Sequence, residues 1–357
     1  MINCNGWEYT HSILYFERTI VLKDKSCIIA QRKKTSIGGQ ALIEGIMMRG
    51  PKKTAMAVRH TSGEIVIKEW DNSNKKVNRF FKLPIIRGVY NFITSLSIGY
   101  KCLMESAELS GLEDEEPKKA VEQVPEEPVQ TSTESEPVKA DEGKEKKSDA
   151  LMNVLMVIAS VLGVAIALVL FMYLPAQIFS WLSKAFPVLE GNFVRSLFEG
   201  VLRIVIFVLY MYLVSLMKDI RRTFMYHGAE HKTIFCYEAG LELTVENVRK
   251  MNRFHPRCGT SFMILMLIVG IVISMFISVT NPILRTVIKL ALLPITVGIG
   301  YELIKIAGRH DNALTRLISL PGVWLQHISV LEPDDSMIEC AIKAVELVIP
   351  GDDSDSW

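Results

Sequence analysis

The sequence predicts a mainly α-helical membrane protein: four transmembrane helices with a small cytoplasmic α/β domain, a β-hairpin plus a helix, on their N-terminal side. Three observations carry this. Four largely apolar runs are each long enough to cross a bilayer, which takes roughly 20 residues. Lysine and arginine crowd into the loop between the second and third runs. Between Leu112 and Asp149 the composition collapses to mostly Glu, Lys, Pro, Ser and Val, which sets the N-terminal region apart from the apolar one.

Along the chain, residues 1–32 show no periodicity and no secretory signal pattern, and read as an extension. Residues 33–110 form the cytoplasmic unit. It opens on a Gly-rich motif, from Gly38-Gly39 to Gly50-Pro51, that brackets a short apolar stretch. Strand-like runs Thr54 to His60 and Glu64 to Trp70 flank Thr61-Ser62-Gly63, the pattern of a β-hairpin. Val77 to Glu108 reads as a helix in two parts around Pro84. Arg87, Asn91 and Lys101 interrupt its apolar face, so it is expected at the membrane interface or packed on the bundle. Residues 111–149 are expected to be a disordered acidic linker, too poor in apolar residues to offset its ordering entropy, and a place to recruit a membrane-protein partner.

Residues 150–306 hold the four runs: Leu151 to Leu174, ended by Pro175; Val194 to Met217; Thr260 to Thr280; and Pro282 to Ile304. Arg195, Glu199 and Arg203 in the second and Arg285, Lys289 and Glu302 in the fourth are costly in lipid, so they are expected to face the bundle, snorkel or pair. The loop 218–259 carries Lys218, Arg221, Arg222, Lys232, Arg249, Lys250, Arg253 and Arg257. By the positive-inside rule it is cytoplasmic, and an even number of crossings puts both termini on the same side of the cell membrane. Residues 307–357 form a cytoplasmic C-terminal segment. In it Met337, Ala341, Ala344, Val345 and Val348 share one face of an amphipathic helix. The six cysteines show no disulfide framework. The net charge of +1 points neither toward nor away from nucleic acid, and the basic loop needs none: it suffices as a topology signal and as a contact for anionic headgroups.

The chemistry concentrates in loop 218–259. His227 and His231, four apart, share a helix face with Glu230, in the H-x-x-E-H order of inverted zincins: two imidazole ligands and a carboxylate base. His255 and Cys258 follow in a kinked turn with ligand-like spacing. The spacing leaves two arrangements open. Four ligands, His227, His231, His255 and Cys258, would make a closed structural zinc site; three would leave a position for catalysis, with Glu230 as base. The bland alternative is a solvated helix face. Glu302, far downstream, is a further candidate ligand, its alternative being an ion pair with Lys305 or Arg309. Glu44 and Arg49, within the Gly-rich motif, could face a bound ligand beside free backbone N–H groups.

Three segments together resemble a known family: Gly38-Gly39-Gln40-Ala41-Leu42-Ile43-Glu44-Gly45 through Met47-Met48-Arg49-Gly50-Pro51; His227-Gly228-Ala229-Glu230-His231-Lys232-Thr233 with Tyr237-Glu238; and His255-Pro256-Arg257-Cys258-Gly259-Thr260-Ser261-Phe262, with the tail Glu332-Pro333-Asp334-Asp335. The chain is similar to the YqhQ family of bacterial membrane proteins, from about Lys33 to about Ala344. The resemblance implies a metal-dependent enzyme using the same His and Glu residues. Phe235 departs from it, standing where relatives often have a polar residue or histidine.

Three functions follow, in this order of expectation: a metal-dependent, zinc-type hydrolase at the cytoplasmic membrane surface; a non-catalytic membrane scaffold or assembly factor with a structural metal; and a small-solute carrier using the charges within the spans, which is disfavoured because no inverted repeat is visible.

Overall fold

The computed structural model describes residues 34–72, 78–112, 158–186, 191–310 and 312–356. The N-terminal extension, the acidic linker and the start of the first apolar run lie outside them. In the N-terminal unit four strands, β1 (Gly38–Leu42), β2 (Gly45–Arg49), β3 (Lys53–Arg59) and β4 (Ile65–Asp71), form an antiparallel meander in chain order. The expected hairpin is β3–β4, which closes at the Arg59–Ile65 pair. The sheet also has β1 and β2, which correct the hairpin reading. Their residues are covered on both faces: Ile46 and Met48 face one core, Leu42 and Met47 another. A strand buried on both sides reads as a continuous apolar run, without the alternation that announces a half-buried strand.

Helix α1 (Ile86–Ser110) covers one face of the sheet through Cys102, beside Leu42, Met56 and Val58. The other face packs on α4 (Lys218–Glu238) and α10 (Asp335–Glu346). Here Ile46, Met48 and Ala57 meet Tyr226 and Ala229 from α4 and Met337, Ala341, Ala344 and Val345 from α10. This core is therefore built from both sides of the apolar region, and the segment before the linker docks onto the His-bearing helix.

In the apolar part, α2 (Ile158–Ala185) and α3 (Asn192–Ser215) are long and apolar enough to cross a membrane. Among the described residues, the expected four spans are supported for two, or three if α7 (Pro282–Ala291) and α8 (Leu293–Arg309), bent by 50°, count as one broken span. Pro294 in the first turn of α8 has no N–H to continue the ladder, which accounts for the break. Helix α6 (Gly259–Ser274) is apolar but has 16 residues. At 1.5 Å per residue that is roughly 24 Å, short of the ~30 Å hydrocarbon core.

Pro175 does not end the first run; α2 continues to Ala185 through a π turn at Val169–Tyr173. The proline leaves the Phe171 carbonyl without its helical donor, and Arg203 Nε of α3 supplies one at 2.7 Å. α5 (Val245–Arg249) and α9 (Ala313–Ser329) complete the order. α9 lies along α6, with Gly322 against Ser261, and α1 leans its first turns on α8, where Asn91 Nδ2 donates to Tyr301 Oη at 2.8 Å.

Candidate metal centre

Helix α4 follows α3 after Leu216 and Met217 and carries the site away from the apolar helices. His227 and His231, one turn apart, have ring centroids 4.5 Å apart. Cys258 caps the start of α6, with Sγ 3.2 Å from His227 Nε2 and 3.2 Å from Thr260 Oγ1. Each imidazole is held from behind. His227 Nδ1 donates to the Ser329 carbonyl at 3.0 Å and His231 Nδ1 to the Arg253 carbonyl at 2.5 Å. A carbonyl oxygen can only accept, so both protons sit on Nδ1 and both Nε2 lone pairs remain for a ligand. This is the usual support of a metal-binding histidine. One donor atom from each of His227, His231 and Cys258 lies within 4.8 Å of the others.

Glu230 completes the cluster. Its Oε1 accepts the Gly39 N–H at 2.9 Å, while Oε2 is buried with no hydrogen-bond partner. That contact explains Gly39, the second glycine of the first motif. A Cβ on Gly39 would lie 2.7 Å from the Met47 carbonyl and 3.0 Å from Glu230 Cδ, so β1 reaches the carboxylate only because there is no side chain. Gly228 is constrained in the same way: a Cβ there would run into the Leu331 carbonyl, where the chain leaving α9 crosses α4.

Burial raises the Glu230 pKa above the ordinary carboxyl range, against the pull of His227 and His231. Burial would also raise the Cys258 thiol, but the two imidazoles outweigh it and hold the group well below its ordinary value. His227 is raised: burial opposes its charge, and Cys258, by charge and hydrogen bond, and Glu230 overcome that. The neighbouring imidazoles thus favour thiolate over thiol, the form of Cys that ligates a metal.

The remaining expected residues lie elsewhere. The His255 ring centroid is 5.5 Å from that of His231 and 4.7 Å from that of Phe235. Its ring nitrogens face Arg257: Nδ1 accepts the Arg257 backbone N–H at 3.3 Å, and Nε2 is 3.4 Å from Nη2. It borders the three-donor cluster without joining it. Both Glu302 oxygens are taken by Arg87 of α1, a partner neither Lys305 nor Arg309. Glu44 sits at the β1–β2 turn with φ 49°, a conformation uncommon for a side-chain-bearing residue. Its carboxylate pairs with Arg222 at 2.5 and 2.6 Å and accepts from Tyr226 Oη at 3.3 Å, on α4 one turn before the histidines. Arg49 is exposed at the far end of β2, beside a 310 Å³ cavity lined by Gly38, Gly39, Gln40, Ser95 and Ile98. Glu44 and Arg49 therefore do not share a site.

Sequence reasoning missed the supports. The Ser329 and Arg253 carbonyls carry no side-chain signal. Gln326, fully buried, clamps the His255 backbone: Oε1 accepts its N–H at 2.8 Å and Nε2 donates to its carbonyl at 2.7 Å. A buried glutamine within an apolar helix was the available clue.

Comparison with known proteins supports the family resemblance. The chain is 32% identical over 311 residues to the uncharacterized protein YqhQ of Bacillus subtilis (strain 168), covering 86% of this chain and 90% of the relative. No solved structure matches. A family model described as "Protein of unknown function (DUF1385)" matches residues 83–350, and the chain belongs to that family.

Proposed function

We propose that this is a multi-pass protein of the cell membrane that holds a divalent metal, zinc by its donor chemistry, on His227, His231 and Cys258, and uses Glu230 as the base of a hydrolytic reaction. One observation carries the reading: three soft or borderline donors converge while both supporting Nδ1 atoms are occupied by carbonyls. Thiolate with two imidazoles favours zinc over the hard cations magnesium and calcium. Three protein ligands leave a position open, as catalytic rather than structural zinc sites do. When bound, the metal supplies Lewis-acid polarisation of a carbonyl or phosphoryl group.

The chain's own residues do the rest. Glu230 Oε2, orphaned beside the donors and made more basic by burial, takes up a proton there, while the Gly39 N–H fixes the other oxygen. By the positive-inside rule, the basic surroundings of α4 favour a cytoplasmic site, in reach of membrane-proximal substrates.

The second reading is a scaffold with a structural metal, its acidic linker outside the described residues serving as the partner contact. The burial of the cluster favours it: His231, Cys258 and Glu230 are 2%, 4% and 5% exposed. Elemental analysis of detergent-purified full-length protein tests both. Near-stoichiometric zinc, absent from the His227→Ala/His231→Ala variant, is expected; a wild-type protein purified without chelator and devoid of metal sinks the site. Glu230→Gln then separates the readings. Retained zinc with loss of cellular function supports catalysis, and retained zinc with full function supports the scaffold.

A further inference from the structure

The apolar helices contain a second cluster that the metal site does not use. Glu199 of α3 receives Arg195 at 2.8 Å, Arg285 at 3.2 Å, and Lys289. Arg203 lies one turn further along α3, within electrostatic reach of the same carboxylate. Four cations thus surround one anion. Arg285, fully buried, is saturated by neighbours: Nη1 donates to Asn192 Oδ1 at 3.1 Å, and Nη2 donates to Ser196 Oγ at 2.8 Å and Ser274 Oγ at 3.1 Å. Arg203 is not. It is 7% exposed, its Nε is spent on the Phe171 carbonyl, and its Nη2 is buried without a partner. Buried charged donors are paired in native proteins because leaving one unpaired costs several kcal/mol.

Arg203 and Lys289 line one cavity of 310 Å³ between α2, α3, α6, α7 and α8. Its other walls are mostly apolar, among them Phe171, Phe207, Met266 and Leu293, with Ser274 and Thr296 adding hydroxyls. That size falls at the lower end of ligand sites, about 300–1,000 Å³, and the combination of apolar walls with few convergent polar groups is their usual chemistry. A charge excess inside an apolar bundle calls for an anion, and the walls call for a hydrocarbon chain.

We propose that this cavity binds an anionic amphiphile, an acyl chain ending in a phosphate or a carboxylate, with the acid group held by Arg203 and Lys289 and the chain lying against the aromatic and methionine wall. Two cations lining an apolar cavity discriminate against neutral chains, which leave Arg203 Nη2 unmatched.

The test uses the full-length protein in a neutral maltoside detergent. It is titrated with dodecyl phosphate, laurate, dodecanol and inorganic phosphate, reading melting temperature and bound mass by native mass spectrometry. At ligand about 100-fold above Kd, mass action shifts the melting temperature upward by several degrees. The expected result is such a shift and one bound molecule with dodecyl phosphate or laurate, and with neither dodecanol nor inorganic phosphate. The acid that acts at lower concentration identifies the headgroup chemistry.

Arg203→Gln is expected to weaken binding by about tenfold or more, since it removes a charge-assisted hydrogen bond. Gly270→Leu provides an independent block if the arginine variant does not fold. Gly270 lines the same cavity, and a Cβ there meets nothing nearer than Thr296 Cγ2 at 3.9 Å, so a larger side chain fills space without removing charge. Equal shifts with dodecanol, a full response to inorganic phosphate alone, no response to either acid, or an undiminished response in either folded variant overturns the proposal.

Discussion

Two buried polar clusters lie on the continuous stretch formed by α3 and α4, and their charge imbalance runs in opposite directions. On α4, His227, His231, Cys258 and Glu230 supply lone pairs and an orphaned carboxylate oxygen, a surplus of electron donors that suits a cation. On α3, Arg195 and Arg203 join Arg285 and Lys289 around Glu199, a surplus of cations that suits an anion. About 18 Å of helix separates Arg203 from the end of α3 at 1.5 Å per residue. The difference shows that a buried ionisable residue is informative chiefly through what it leaves unsatisfied. Arg285, with every direction answered, reads as structural, while Glu230 Oε2 and Arg203 Nη2 point to ligands.

The comparison can be broken most forcefully at Arg285. Arg285→Leu removes the donor to the Ile277 carbonyl, Ser196 and Ser274 and one partner of Glu199, and is expected to cost about 3–5 kcal/mol, as loss of one member of a buried ion pair does. Denaturation of the detergent-solubilised variant measures it; wild-type stability would mean that Arg285 is not holding the cluster together.

Next comes Gln326→Leu, which strands the buried N–H and carbonyl of His255 at roughly 1–3 kcal/mol for each group. It is expected to lower the melting temperature and loosen zinc, because the loop it clamps also carries Cys258; a variant that melts like wild type removes Gln326 from the account.

Thr260→Val sharpens the α4 side with a smaller effect. Losing the hydroxyl beside Cys258 Sγ is expected to weaken zinc about tenfold in a chelator competition and to leave folding intact. Unchanged affinity would detach Thr260 from the ligand sphere.

The smallest effect is expected far from both clusters, at Lys52–Asp352, whose side chains are more than half exposed. Hydrogen bonds from Lys52 and from Ser354 lower the Asp352 pKa to about 2. A depressed carboxyl contributes stability above its ordinary pKa of ~3.9 and loses it as pH falls toward 2. Lys52→Ala should therefore move the Asp352 titration upward by NMR while the melting temperature at neutral pH stays put. A large drop there would contradict the small weight given to exposed pairs relative to the two buried clusters.

The sequence by itself determined the presence of membrane-length apolar helices, the β3–β4 hairpin, the amphipathic face of α10 and the pairing of His227 with His231 next to Glu230. Each is encoded locally, in a period of 3.6 or 2 or in a four-residue spacing. Tertiary structure decided the rest. β1 and β2 escaped because both their faces are covered by distant helices. Pro175 looked like a terminator because the donor that rescues its turn, Arg203, comes from another helix. Glu302 went to Arg87 and Glu44 to Arg222, partners 215 and 178 positions away in the chain. Only the fold brings Cys258, 31 positions beyond His227, to the imidazoles and sets a glycine N–H from β1 against Glu230. Contacts across such separations are set by how elements pack, and no local pattern of residues records them.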